Sequence, residues 1–201
     1  MIMKKLLILL AVALLAVAPQ SVNEQQRKKA VKRTATTQKK KVTTPVQNIE
    51  VVIDGPTIVD GGHLAFYGIP VIMGQADVNN ELSARGFKVK KDNYGGTNIT
   101  GTAYGVSCNV FVEPERGITI RETKSYTLAQ AKKRIAGYLK SYLSETGGKV
   151  TQNTLKSNNA EGGNVTIKAG YGTIDISYQN EDEVNFDSKY YNIVVNIFEN
   201  N

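Results

Sequence analysis

The sequence predicts an α+β fold in which two α–β units form one antiparallel sheet that is packed by two helices. Apolar residues recur at helical spacing over residues 127–146 and, more briefly, over residues 74–86. After each of these segments come short stretches of alternating polar and apolar residues, separated by loops rich in glycine and asparagine. Because each unit is too small to bury its own apolar face, we expect a single α+β domain over residues 49–201, with possible halves at residues 64–126 and 127–201.

The longer helix carries the clearest local signals. Thr127 and Gln130 have the spacing of a capping box, and Gly147 ends the pattern. Its apolar positions recur every three or four residues: Leu128, Ala131, Ile135, Tyr138, Leu139, Tyr142 and Leu143. Gly137 lowers the stability of this helix by about 1 kcal/mol relative to alanine. We expect close packing against a sheet to offset that cost.

The shorter helix follows a strand at residues 63–66 and a Gly-Ile-Pro corner at residues 68–70. Gly74 suits its N-cap, and Val78 and Leu82 share one face. Gly86 suits the left-handed position after its end, which would let Phe87 fold back over the last turn.

Alternation and β-branched residues predict the remaining strands. They lie at residues 49–53, 87–90, 98–104, 107–113, 118–126, 150–156, 164–169, 172–178 and 190–198. The tight Pro114–Gly117 turn predicts an antiparallel hairpin between the fourth and fifth of these.

Residues 1–18 have the features of a secretory signal peptide. Lys4 and Lys5 precede an apolar run over residues 6–17 that is shorter than a membrane span, and Ala16 and Ala18 supply small residues for cleavage. We therefore expect export to the periplasm or the extracellular space, with no transmembrane anchor in the mature chain.

Residues 19–48 predict a basic disordered linker, because they contain almost nothing large and apolar. The net charge of the chain is +7, but residues 1–48 hold ten lysines and arginines against one acidic residue, so residues 49–201 have a net charge of −2. A solvated spacer is the simpler interpretation of this segment. The alternative is a tether to a polyanionic envelope component through Arg27, Lys28, Lys29, Lys32, Arg33, Lys39, Lys40 and Lys41.

Composition excludes several catalytic arrangements. His63 is the only histidine and Cys108 the only cysteine, which removes intramolecular disulfides, Ser-His-Asp triads and multi-histidine metal sites. His63 could pair with Asp60 as an acid–base unit, although a lone histidine before a strand is more often a surface or turn residue. We expect Cys108 to be a small buried apolar residue of a strand.

Glu181, Asp182, Glu183 and Asp187 form the sharpest acidic cluster. Oxygen ligands in a loop can hold Ca²⁺, but the spacing matches no EF-hand, and a solvated loop is the simpler interpretation. We expect neither a metal nor another cofactor.

Ten tyrosines and no tryptophan suggest a recognition surface, with ordinary sheet packing as the alternative. The candidate residues for this surface are Tyr94, Tyr104, Tyr171, Tyr178, Tyr190 and Tyr191.

Four motifs carry a resemblance: residues 66–70 (FYGIP), 85–87 (RGF), 101–110 (from Gly101 to Cys-Asn-Val) and 138–143 (YL…YL). In these, over residues 63–145, the chain resembles a group of small exported proteins common in gut Bacteroidetes. Its layout is similar to beta-lactamase inhibitor protein, PepSY-like domains and outer-membrane assembly lipoproteins, which implies binding or assembly and transfers no catalytic residue. The chain lacks the tryptophans and the lipobox cysteine of those proteins.

Together these features predict a non-catalytic binding module of the bacterial envelope that recognises a protein or a glycan, with no nucleic acid partner. Two alternatives stay open. One is a carboxylate-based envelope hydrolase that uses residues such as Asp60, Glu181 or Asp187, and the other is a structural envelope protein attached through its basic tail.

Overall fold

The computed structural model describes residues 51–93, 95–157 and 159–200. Its first half contains β1 (Ile58–Val59), a 3-10 turn (Asp60–Gly62), β2 (His63–Phe66), β3 (Ile69–Pro70), α1 (Gln75–Ala84), β4 (Lys88–Lys91), β5 (Thr97–Ala103), β6 (Val106–Glu113) and β7 (Gly117–Glu122). Its second half contains β8 (Tyr126–Thr127), α2 (Leu128–Thr146), β9 (Lys149–Asn153), β10 (Gly162–Ala169), β11 (Gly172–Asn180) and β12 (Tyr190–Glu199).

The main sheet is antiparallel and has the strand order β4-β5-β6-β7-β12-β11-β10-β9, with β8 pairing with the start of β12. Helix α1 precedes the meander β4–β7, and helix α2 precedes the meander β9–β12. The two meanders join where β7 pairs with β12 over residues 117–121 and 194–198. Strands β1–β3 form a small separate sheet. The predicted α+β class is confirmed.

One face of the main sheet, the inner face, is covered and forms the core. Both helices contribute buried side chains to the same apolar cluster as this face, for example Val78 of α1 and Ile135 of α2. The small sheet contributes Leu64 and Phe66 to that cluster. Cys108 lies there too, 1% exposed, as its strand pattern predicted. Burial raises the pKa of the Cys108 thiol to about 11, so this cysteine is kept as an unreactive thiol.

Helix α2 begins as the sequence predicts. The Thr127 hydroxyl accepts a hydrogen bond from the Gln130 N–H while the Gln130 side chain reaches back to the Thr127 N–H, which completes the capping box. Gly147 ends the helix in the left-handed region at φ 62°. Gly137 does not face the sheet as expected. It lines a groove of about 610 Å³ between α2 and residues 51–53.

Two glycines shape the region around β4. Gly86 follows α1 at φ 88°, as predicted, and turns the chain so that Phe87 enters the core. The Phe87 ring lies against Gly101 of β5, where a Cβ atom would come within 2.3 Å of it. This contact fixes the edge of the sheet against α1.

The predicted first strand is wrong in its described part, because residues 51–53 belong to no strand. Val51 is buried instead against α2, and the Ser141 hydroxyl donates a hydrogen bond of 2.5 Å to its carbonyl oxygen. Burial of apolar side chains against a helix therefore explains the apolar pattern. In the part of the chain that the structure describes, neither helix is both long and apolar enough to cross a membrane.

A buried ion pair links α2 to the first meander. Arg134 of α2 contacts Glu122 at the end of β7 at 2.8 Å, and their side chains are 5% and 1% exposed. The hydroxyls of Tyr126 and Tyr138 each donate a hydrogen bond of 2.5 Å to the Glu122 carboxylate. Arg134 also donates to the carbonyl oxygen of Tyr104 at 2.8 Å. Each charge therefore has several partners, which offsets the cost of burying it.

The tyrosines around this pair are hard to ionise. Burial, reinforced by the negative charge of Glu122, raises the pKa of Tyr138. Burial also raises the pKa of Tyr104 and Tyr142, whose hydroxyls lie 2.6 Å apart. At neutral pH all three are neutral hydrogen-bonding groups.

Replacing Arg134 by methionine should lower the free energy of unfolding by about 3–5 kcal/mol, because Glu122 would be left as an unpaired buried charge. Urea denaturation measures this. The exposed Lys140→Met variant of the same helix is the control and should change stability by less than about 0.5 kcal/mol. Combining Arg134→Met with Glu122→Leu should recover part of the loss. Equal stabilities of Arg134→Met and the parent would contradict this account of the ion pair.

Stability should also fall in alkaline solution. The folded-state pKa values of Tyr104, Tyr138 and Tyr142 lie above that of an unfolded tyrosine, so their contribution is fully present below about pH 10 and is lost as the pH rises above it. Urea denaturation across this range, with tyrosinate absorbance recorded in parallel, should show that these side chains ionise as the protein unfolds. Complete ionisation of all tyrosines in a folded chain would disprove it.

Candidate functional site

The outer face of the main sheet, opposite the helices, is polar. Strand register places one row of its residues side by side across seven strands: Lys88, Thr100, Asn109, Arg121, Val194, Ser177 and Asn164. Alternation explains this composition, since the neighbours of these residues along each strand point into the core. Apart from the buried Val194, the row therefore presents hydroxyl, amide and cationic groups.

Over strands β7 and β10–β12 of the outer face, several of these groups bind one another. The Thr119 hydroxyl donates to Asn196 Oδ1 at 2.8 Å. Asp175 accepts hydrogen bonds from Asn164 at 2.9 Å and from Thr166 at 2.7 Å. These cross-strand bonds use the hydrogen-bonding capacity of the side chains within the sheet.

On the β4–β6 side they do not. The hydroxyls of Thr100, Thr102 and Ser107 and the side-chain amide of Asn109 form no hydrogen bond with any other residue in the described ranges. Thr100 lies opposite Asn109, and Thr102 lies opposite Ser107, so the four groups form a compact square. Their donors and acceptors are free for a ligand.

These four side chains belong to a cavity of about 450 Å³, which we call the polar pocket. Arg85 and Lys88 add two cations to its lining, and Thr123 closes the side next to Ser107. The Thr123 hydroxyl is already used, because it donates to the Ser107 carbonyl oxygen at 3.1 Å. The volume lies within the range of ordinary ligand pockets.

Arg85 is held in place at the rim of the polar pocket. Its Nε donates to the Tyr67 carbonyl oxygen at 3.1 Å, and its Nη1 donates to the Glu81 carbonyl oxygen at 2.9 Å and to the Glu81 carboxylate. Among the described residues, Nη2 of Arg85 has no partner. The side chain is therefore positioned in advance with one donor still available.

Phe111 provides an apolar surface beside the polar pocket. It is two residues beyond Asn109 on β6, so it lies on the same face at a distance of about 7 Å along the strand. Its side chain is 51% exposed, although it is a large apolar residue. An aromatic ring thus flanks the unpaired polar groups.

The proposed tyrosine surface is largely wrong. Tyr104, Tyr178 and Tyr191 are 4%, 0% and 6% exposed, so in this fold they are core residues. Tyr178 continues the inward alternation of Ile174 and Ile176, which is the sequence signal that could have revealed its burial. Tyr94 lies outside the described residues.

Tyr171 and Tyr190 are exposed, at 59% and 50%, but they do not form one surface. Tyr171 lies in the turn before β11, and Tyr190 begins β12 after the loop that follows β11. The nine residues of β11 separate these two ends by about 27 Å.

His63 has a different partner from the one expected. Its Nδ1 lies 2.9 Å from Oε2 of Glu199, and its ring contacts Tyr171 at a centroid distance of 5.3 Å. Among the described residues it forms no hydrogen bond with Asp60. The other Glu199 oxygen accepts a hydrogen bond from the Leu64 N–H. Because both oxygens are engaged, Glu199 acts as a clamp that holds β2 on the end of β12.

The residues of the acidic loop form hydrogen bonds with one another. Asp182 accepts hydrogen bonds from the backbone N–H groups of Asn185 at 3.0 Å and Val184 at 3.1 Å. Hydrogen bonds lower the pKa of Asp182 to about 2; the largest contribution comes from the Asn185 N–H, followed by the Asp187 side chain and the Val184 N–H. The hydrogen bond with Asp182 and its negative charge raise the pKa of Asp187. These hydrogen bonds are typical of a turn that is rich in acidic residues. The described residues contain no cluster of three or more His, Cys, Asp or Glu side chains that could hold a metal ion.

The predicted signal peptide, linker and polyanion tether, including Arg27 and Lys41, lie outside the described residues. The polar pocket was not recognised from the sequence. The alternation of Lys88 and Lys90 with Phe87 and Val89 in the sequence indicated an exposed polar face. The polar groups come together only because β4, β5 and β6 pair, and no single segment of the sequence predicts that pairing.

Replacing Glu199 by alanine should lower the free energy of unfolding by about 1–3 kcal/mol, because the buried N–H of Leu64 would lose its acceptor. Thermal and urea unfolding measure the change. Glu113→Ala, which removes an exposed carboxylate at the end of β6, is the matched control and should have little effect. If the two variants were equally stable, Glu199 would not be the clamp described above.

No protein-family model matches the chain, and comparisons with curated proteins and with solved structures gave no significant match. The chemistry of the polar pocket and the outer face is therefore what bears on function.

Proposed function

We propose that this protein is an exported, non-catalytic binding module that recognises a protein or a glycan of the bacterial envelope. The observation that carries the proposal is the division of the outer face. On strands β7 and β10–β12, Thr119 bonds to Asn196, and Asn164 and Thr166 bond to Asp175, whereas the hydroxyl and amide groups of the four central pocket residues have no partner among the described residues. Groups left free in this way are suited to a ligand.

The distribution of the core supports the same proposal. The helices and the small sheet pack on the inner face, so the outer face is left open without any cost to the core. The sequence resemblance implies a layout like that of beta-lactamase inhibitor protein and PepSY-like domains, which are binding or assembly modules, and an open sheet face is suited to such contact. Arg85 and Phe87 of the polar pocket belong to a motif that carries the resemblance to small exported proteins of gut Bacteroidetes.

The position of Asp60 weighs against its part in the hydrolase alternative. Asp60 precedes β2, which is clamped to the last residue of β12, whereas Glu181 donates its N–H to Tyr190 at the first residue of β12. The ten residues of β12 place these ends about 30 Å apart. A two-carboxylate site needs its groups within about 10 Å of each other. Asp60 therefore has no catalytic partner in the acidic loop.

The second alternative is attachment to the envelope through the basic tail. A crosslinking experiment can distinguish it from recognition by the folded domain. Two forms of the chain, residues 21–201 and residues 48–201, should be crosslinked to an envelope extract. If the domain does the recognising, both forms should capture the same partner, and salt should weaken both to a similar degree.

The outer face can be tested in the same assay. Phe111→Asp should reduce capture by about fivefold or more, because it places a negative charge beside the polar pocket. Val150→Asp is the matched control, since Val150 is 41% exposed and lies on β9 at the opposite edge of the sheet. Capture that needs residues 21–47 and disappears in salt would instead assign the attachment to the tail. Equal effects of the two substitutions would remove the outer face from the proposal.

A further inference from the structure

We propose that the ligand of the polar pocket is an acidic saccharide, that is, a sugar chain that carries a carboxylate or a sulfate group. This inference rests on the proposed function, since it names the class of molecule that the binding module recognises. It is carried by three features that meet at one edge of the sheet: two cations, a square of unpaired hydroxyl and amide groups, and an exposed aromatic ring.

The cations select for an acidic group. Arg85 has its Nη2 available, and Lys88 of β4 is exposed beside Thr100. Lys90 is two residues further along β4 and therefore lies on the same face as Lys88. Glu81 balances the charge of Arg85. Asp54 lies nearby, because the Tyr67 hydroxyl donates both to its carboxylate and to the Thr102 carbonyl oxygen. The two lysines outnumber this one remaining carboxylate, so this edge keeps a net positive charge. A carboxylate or sulfate placed here gains charge-assisted hydrogen bonds.

The hydroxyl and amide groups select for a saccharide rather than for a simple anion. A sugar hydroxyl both donates and accepts hydrogen bonds, and so do Thr100, Thr102 and Ser107, while Asn109 offers a separate donor and acceptor. A bare phosphate or sulfate ion presents acceptors and would leave the acceptors of these side chains unused. The floor of the pocket therefore matches a ligand with many hydroxyl groups.

Phe111 completes the match. Its ring is exposed next to Asn109 on the same face, where it can contact the apolar C–H face of a sugar ring. A sugar chain that places its acidic group between Arg85 and Lys88 would run across Asn109 toward Phe111. This direction follows the outer face and leaves the core unchanged.

The experiment is isothermal titration calorimetry of the full chain with two probes of equal length, a trimer of galacturonic acid and a trimer of galactose. The acidic trimer should bind about tenfold more tightly than the neutral one. Lys88→Gln should remove most of this difference. Lys91→Gln is the matched control, since it removes the same charge from the opposite face of the same strand and should leave the affinity within about twofold. The comparison also cancels any contribution of the basic tail, which both variants share.

A second pair of variants tests the hydroxyl recognition. Asn109→Ala should weaken binding of both trimers by about fivefold, because it removes a hydrogen bond to the sugar and not to its acidic group. Gln152→Ala removes an exposed side-chain amide from β9, at the opposite edge of the sheet, and should have little effect. Thermal unfolding of all four variants confirms that each is folded.

Three results would overturn the assignment: equal affinities of the two trimers, equal effects of Lys88→Gln and Lys91→Gln, or displacement of the acidic trimer by inorganic sulfate at the same concentration. If any of these occurs while Phe111→Asp still lowers envelope capture, the ligand class is wrong and the binding module stands. If Phe111→Asp has no effect on capture, the proposed function itself fails.

Discussion

The fold depends on the burial of one carboxylate. Glu122 ends the first meander, and Arg134 lies on the helix that opens the second, so their ion pair fixes the position of α2 on a sheet that both meanders share. The tyrosine hydroxyls around Glu122 supply the remaining hydrogen bonds. A buried charge without a partner is strongly destabilising, so the ion pair favours the position of α2 in which Arg134 meets Glu122. This ion pair and the β7–β12 pairing together join the two meanders.

Because both helices pack on the inner face, the outer face of the sheet stays exposed to solvent and available for contacts with other molecules. Strand alternation sends every second side chain outward. There, Thr119 bonds to Asn196 and Thr166 bonds to Asp175 across neighbouring strands. The β4–β6 side leaves its polar groups unpaired, with Arg85 held at the rim by Tyr67 and Glu81. The outer face thus combines a self-bonded half, which stiffens the sheet, with a half that is available to a partner. The proposed binding function follows from this division.

Local signals in the sequence predicted the helices and most strands. The capping box of Thr127, the left-handed Gly86 and the burial of Cys108 each depend on residues close in the chain, and each was correct. The errors concern contacts between distant residues. His63 pairs with Glu199, 136 positions away, and the polar pocket exists only because three strands align. The predicted tyrosine surface is largely wrong because tyrosine is favoured on both faces of a strand. The alternation of apolar residues along β11 and β12 places Tyr178 and Tyr191 on the inner face, where they are buried.

The central claim is that the β4–β6 side of the outer face is the contact surface. Backbone amide chemical shifts of the isotope-labelled full chain, recorded by NMR during titration with an envelope extract, test it directly. The largest shifts should fall between residues 85 and 111, with residues 164–180 of the self-bonded half almost unchanged. Shifts concentrated in the acidic loop at residues 181–189, or around His63 and Tyr171, would contradict the claim and move the contact surface to one end of the sheet.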